Sequence, residues 1–130
     1  MQNLFDISGK VALVTGGSRG IGEMIATGYV ENGAKVYVSS RKATVCQQIA
    51  DKLSERGTCI ALPADVSTLA GIESLVAEIT AREQKLDILV NNAGILRDKS
   101  FSKMTLDDFR AVMEVHLWGS VVCTKAVWDH

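Results

Sequence analysis

The 130 residues, 47% hydrophobic and 22% charged, suffice for one hydrophobic core and leave no room for a second. A formal net charge of -1 supplies neither the basic field that nucleic acid requires nor an acidic tail. The apolar runs are strand-sized, far short of a membrane span, and no leader pattern opens the chain, so a cytoplasmic location and no membrane partner are expected. Cys46, Cys59 and Cys123 are scattered among apolar neighbours and read as reduced core thiols, without metal-type spacing.

In chain order, residues 10–15 are a continuous apolar run ending at glycines, as expected for a strand buried on both faces. A helix is expected over 21–32, with Ile21, Met24, Ile25 and Gly28 at helical spacing and Gly33 as its C′ stop. A second strand follows at 35–39. A second helix at 44–56 places Cys46, Ile49, Ala50 and Leu53 on one face, and a third strand spans 58–62. Ser67 is the expected cap of a third helix whose buried stripe is Ile72, Leu75, Val76 and Ile79. Residues 86–91 form a fourth strand. Thr105, with Asp108 three residues on, has the pattern of a capping box for a long helix that can run to His130. The alternation β-α-β-α-β-α-β-α with short connections predicts right-handed crossovers and a doubly wound parallel sheet.

Between the first strand and first helix lies Thr15-Gly16-Gly17-Ser18-Arg19-Gly20-Ile21-Gly22. Glycines suit this place because a pyrophosphate must approach the backbone closely, and the helix N-terminus behind it offers free N–H groups and partial positive charge. The spacing Thr-Gly-x-x-x-Gly-x-Gly, together with Asn91-Asn92-Ala93-Gly94 after the fourth strand, resembles the short-chain dehydrogenase/reductase family, N-terminal half only. The resemblance implies a Rossmann-type sheet truncated after the fourth strand and the following helix, with residues 1–130 as one NADP(H)-binding half-domain.

Where an NAD-binding unit would carry an acid after its second strand, this chain has Ser39-Ser40-Arg41-Lys42. A carboxylate there would repel a 2′-phosphate, and a guanidinium can bind one bidentately. Arg41, with Arg19 in the glycine turn, therefore points to NADP(H). The resemblance further implies Gly16, Ser18, Arg19, Gly20, Ile21 and Gly22 around the phosphates, and Asp65 and Val66 at the adenine. By the same likeness Asn92 lies near the adenosine ribose, Ala93 and Gly94 belong to the cofactor site, and Asn91 ties adjacent strands.

The family's catalytic Tyr with a Lys four residues on has no counterpart, since only Tyr29 and Tyr37 exist and Gly33 and Arg41 follow them. His116 stands where many members carry a helix Asn, which makes it a candidate for that position as well as for simple packing. His116 and the loop Ile95-Leu96-Arg97-Asp98-Lys99-Ser100-Phe101 resemble hydroxyacyl-CoA dehydrogenase units of multifunctional enzymes. Residues 13–65 resemble bacterial ketoacyl reductases. The expectation is a carbonyl- or alcohol-directed NADP(H) oxidoreductase, forming dimers or tetramers when complete. The alternative is an inactive NADP(H)-binding or sensing module.

Overall fold

The computed structural model describes residues 3–130. The elements run β1 (Val11–Thr15), α1 (Gly20–Glu31), β2 (Lys35–Ser39), α2 (Ala43–Leu53), β3 (Thr58–Ala61), α3 (Leu69–Arg82) and β4 (Ile88–Val90). A helical rod follows, made of α4 (Leu106–Met113), a π-helical turn (Glu114–Trp118) and α5 (Gly119–Val127). The four strands form one parallel sheet in the order β3-β2-β1-β4. Val11 faces Lys35 and Thr15 faces Ser39 across β1 and β2, while Val14 faces Val90 across β1 and β4. The doubly wound architecture expected from the alternating elements is therefore present.

Alternation along the strands feeds two cores. Val14, Val36 and Val38 point to the face covered by Ala26 and Val30 of α1 and Cys46, Ala50 and Leu53 of α2. Leu13 and Tyr37 point to the other, against Ile72, Leu75 and Ile79 of α3 and Cys123 of α5. Each wholly buried aliphatic side chain contributes about 1.5–3 kcal/mol. Both layers close on β1, which pins the loops at its C-terminal end.

Several expected details differ. Ile21 and Met24 are 65% and 66% exposed, and the buried face of α1 is instead Gly22, Ala26 and Val30. At the helix start a side chain on residue 22 would collide with Gly16 O and Asn92 Nδ2, and Ile25 of the expected face does pack, partly buried, against this core. Thr68, not Ser67, caps α3, accepting from Gly71 N at 3.1 Å. Ser67 is spent on Asp65 Oδ1, to which it donates both N–H and hydroxyl at 2.9 and 2.7 Å. Val76 is only partly buried. The fourth strand contracts to Ile88–Val90, and the second helix ends at Leu53. The Thr105–Asp108 capping box is complete, with Asp108 N donating to Thr105 Oγ1 and Thr105 N to Asp108 Oδ2, each at 3.1 Å. The rod it opens is helical to Val127, with the π turn interrupting the α register.

Candidate nucleotide-binding site

The glycine turn and the 92–94 loop meet beyond the C-terminal ends of β1 and β4, the crevice where open parallel sheets take ligands. Thr15 is their common anchor. Only 2% exposed, it accepts from Asn92 N and Ala93 N at 3.1 Å each through Oγ1, and donates to Val90 O at 3.3 Å. Thr15 Oγ1 is the acceptor of Ala93 N–H, and it shares Asn92 N–H with Val90 O, which lies 3.0 Å from that nitrogen. Motif spacing alone gives Thr15 no role. Its legible signal was a β-branched hydroxyl closing a strand of wholly apolar residues.

Gly16 has φ +65°, and a Cβ there would come 2.8 Å from Ala93 Cα. Asn92 Nδ2 donates to Gly16 O at 3.1 Å. Behind that bond sits Gly22, whose Cβ would collide with both Gly16 O and Asn92 Nδ2. Gly17 donates its N–H to Ser39 O at 3.2 Å, fastening the turn to the end of β2. Gly20, with φ +59°, has nothing within 4 Å of its Cβ position. The glycines thus divide: Gly16 and Gly22 permit close packing of the turn on its neighbours, and Gly20 leaves open space at the N-terminus of α1.

Arg19 is the N-cap residue of α1 and makes no side-chain cap bond. Arg19 and Arg41 are both exposed, and among the described residues neither forms an ion pair. Ser18 is buried, while Ile21 on the first turn of α1 is exposed. Partial burial tends to raise the Asp65 pKa, but the two hydrogen bonds from Ser67 and the Arg41 charge outweigh it and hold the carboxyl below its usual value. Val66, 8% exposed, packs with Leu62, Ile72 and Cys123, leaving little of its side chain for a ligand.

Both asparagine side chains are engaged within the fold. Asn92, expected near a ribose, has its amide engaged on the Gly16 carbonyl. Asn91, expected to tie strands, donates instead to Thr124 Oγ1 of α5 at 3.0 Å. Residues 91 and 92 follow β4 in succession, and their side chains go to different neighbours, α5 and the glycine turn. The His116 ring lies over Gly94, and its Nε2 is 3.1 Å from both N and O of Ile95. Tyr37 is wholly buried and Tyr29 partly so, which leaves Tyr37 unable to meet a ligand. Among the described residues there is no cluster of metal ligands and no helix long and apolar enough to cross a membrane.

A positive-φ glycine turn leading into a helix N-terminus, braced against the neighbouring strand of a parallel sheet, defines a nucleotide-binding α/β unit. The chain belongs to the short chain dehydrogenase family, whose model matches residues 10–130. It is 41% identical over 125 residues to the rhamnolipids biosynthesis 3-oxoacyl-[acyl-carrier-protein] reductase of Pseudomonas aeruginosa, covering 96% of this chain and 49% of that protein. With the peroxisomal hydratase-dehydrogenase-epimerase of Saccharomyces cerevisiae it shares 43% over 121 residues, 92% of this chain and 13% of that protein. The Pseudomonas aeruginosa RhlG/NADP active-site complex superposes with a TM-score of 0.93 at 39% identity, covering 98% of this chain and 50% of that one. The L-sorbose reductase of Gluconobacter frateurii complexed with NADPH and L-sorbose gives 0.90 at 28% identity, covering 96% and 49%. The chain spans about half the length of most curated relatives it matches.

Proposed function

We propose that these residues form the NADP(H)-binding half-domain of an oxidoreductase acting on a carbonyl or secondary alcohol, with 3-oxoacyl groups the first class to try. One observation carries the cofactor assignment: among the described residues neither Arg19, within the glycine turn, nor Arg41, after β2, forms an ion pair, and Ser40-Arg41-Lys42 after β2 carries no carboxylate. The open space at Gly20, in front of the α1 N-terminus, fits a pyrophosphate that a Cβ would obstruct. Gly16, Ser18, Arg19, Gly20, Ile21 and Gly22 border the phosphates, and Arg41 with Arg19 takes the 2′-phosphate. Asp65 turns its second carboxylate oxygen to the adenine amino group beside Val66, and Asn92, Ala93 and Gly94 wall the ribose. The nicotinamide supplies the hydride when bound. The NADP and NADPH complexes among the structural relatives, and the 3-oxoacyl reductases among the curated ones, support this reading.

Proton transfer is assigned to none of these residues, because the tyrosines have no Lys partner and Tyr37 is wholly buried. The oxidoreductase reading is tested by NADPH-dependent reduction of a 3-oxoacyl thioester with the full-length natural gene product, and no turnover there would refute it. The cofactor assignment is tested by fluorescence titration of Arg41→Asp. A charge-assisted phosphate bond is worth about 1.5–3 kcal/mol, so NADPH binding should weaken about 10- to 100-fold with NADH nearly unaffected. Equal losses for the two would remove Arg41 from the site.

A further inference from the structure

His116 is left unused by the nucleotide reading, yet it stands mid-way in the π-helical turn, a distortion that concentrates at functional sites. Its ring occupies the space that a side chain at residue 94 would fill, since a Gly94 Cβ would lie 2.6 Å from Cε1. Ser120 Oγ donates to the His116 carbonyl at 2.6 Å, which fixes the backbone of the bulge beneath the ring. Its Nε2 is 3.1 Å from the Ile95 N–H nitrogen and 3.1 Å from the Ile95 carbonyl oxygen.

One imidazole nitrogen can accept or donate, but not both. Ile95 presents it with a donor and an acceptor at equal distance. The alternatives are unequal in cost, because an N–H without an acceptor is the rarer defect, whereas a carbonyl has a second lone pair. In the tautomer with Nε2 unprotonated, the imidazole accepts from Ile95 N. Ile95 adjoins Gly94 and Ala93, and Ala93 N is held on Thr15 while its Cα abuts Gly16. The path from the imidazole to the glycine turn is thus three residues of covalent backbone.

We propose that His116 is a positioning residue for nucleotide binding: through Nε2 on Ile95 N–H and its ring on Gly94, it holds the 92–95 segment against the glycine turn. The proposal rests on the nucleotide-binding reading above. It assigns His116 no contact with nucleotide and no proton transfer.

The test uses the full-length natural gene product with His116→Leu, which keeps bulk and loses the nitrogen, and His116→Asn, which regains an acceptor oxygen. Losing one backbone hydrogen bond should weaken NADPH binding about five- to tenfold in the Leu variant, with the Asn variant within about twofold of wild type. Nitrogen-15 NMR of the wild-type imidazole should show Nε2 unprotonated and accepting from the Ile95 amide. Wild-type affinity in a folded Leu variant, failure of Asn to restore it, or a proton on Nε2 would each overturn the proposal. If the Leu variant does not fold, the Asn titration and the Nε2 resonance decide. Intact NADPH binding with Nε2 protonated refutes this proposal alone. No NADPH binding by wild type, with Nε2 accepting, refutes the nucleotide reading and the link to binding while leaving the loop contact in place.

Discussion

Gly22→Ala separates the steric demand of the turn from any demand for unusual backbone. Gly22 is helical and does not have positive φ, so Ala there adds about 1 kcal/mol of helix propensity. Against that gain, the new methyl would collide with Gly16 O and Asn92 Nδ2, the two atoms joined by the 3.1 Å hydrogen bond between the turn and the 92–94 loop. Overpacking against fixed backbone costs about 1–3 kcal/mol, and losing the hydrogen bond about 0.5–1.5 kcal/mol. The net destabilisation is about 1–3 kcal/mol, a fall in Tm of roughly 3–9 °C for a domain of this size. Thermal melts by circular dichroism read this directly. A double-mutant cycle localises it, because Asn92→Ala removes one of the two obstacles and should recover part of the Gly22→Ala loss. A melt within about 1 °C of wild type would show that the helix and the turn separate without cost. An undiminished loss in the Asn92→Ala background would show that the carbonyl alone obstructs.

Further outcomes follow from the same geometry. Gly20→Ala, at φ +59° in open space, should lose about 1–2 kcal/mol to backbone strain alone. Its NADPH affinity should fall about tenfold or more in a fluorescence titration, since the methyl enters the phosphate cradle. Thr15→Val leaves the Ala93 N–H group without its acceptor, while Asn92 N–H keeps Val90 O, and should cost about 1–3 kcal/mol in denaturant unfolding, whereas Thr15→Ser, which keeps the oxygen, should cost less. The Lys99 hydrogen bond, aided by the Thr105 backbone and side chain, lowers the Asp108 pKa from 3.8 to about 2. Its contribution is therefore full above the unfolded value and lost as pH falls through the folded one, and Asp108→Asn should flatten the stability profile between about pH 4 and 2. Burial pushes Cys59 to about 12 and Cys123 to about 11, so in the native protein both thiols should resist maleimide at pH 8 and react once unfolded.

The order of elements was legible because strand and helix periods differ and glycines punctuate them. Strand β2 and the Thr105–Asp108 cap were readable to the residue, each depending on local chemistry alone. The face of α1 was not. Counting apolar residues picks out Ile21, Met24 and Ile25, of which only Ile25 packs on the core, because the buried face is Gly22, Ala26 and Val30 and the helix start abuts Gly16 and Asn92. Burial there is decided by distance between elements, which hydropathy does not encode. The cap of α3 was displaced by one residue because Asp65 competes for Ser67, leaving Thr68 free to accept from Gly71.

The site shows the same division more sharply. Motif spacing locates the glycine turn and the 92–94 loop, but it does not reveal that they are two sides of one knot. Thr15 is 77 residues from Asn92 in sequence and one hydrogen bond from it in space. Asn92 and Gly22 are then explained together, since the amide takes the Gly16 carbonyl only if residue 22 has no side chain. Gly94 and His116 form a second such couple, with a missing side chain on one element filled by a ring from another. In each couple the glycine is required by its distant partner rather than by its own φ, because neither Gly22 nor Gly94 is in the left-handed region. A glycine read as a turn former can thus be a contact residue. Here the substitutions most damaging to the nucleotide crevice are expected where glycine meets a polar side chain from another strand or helix.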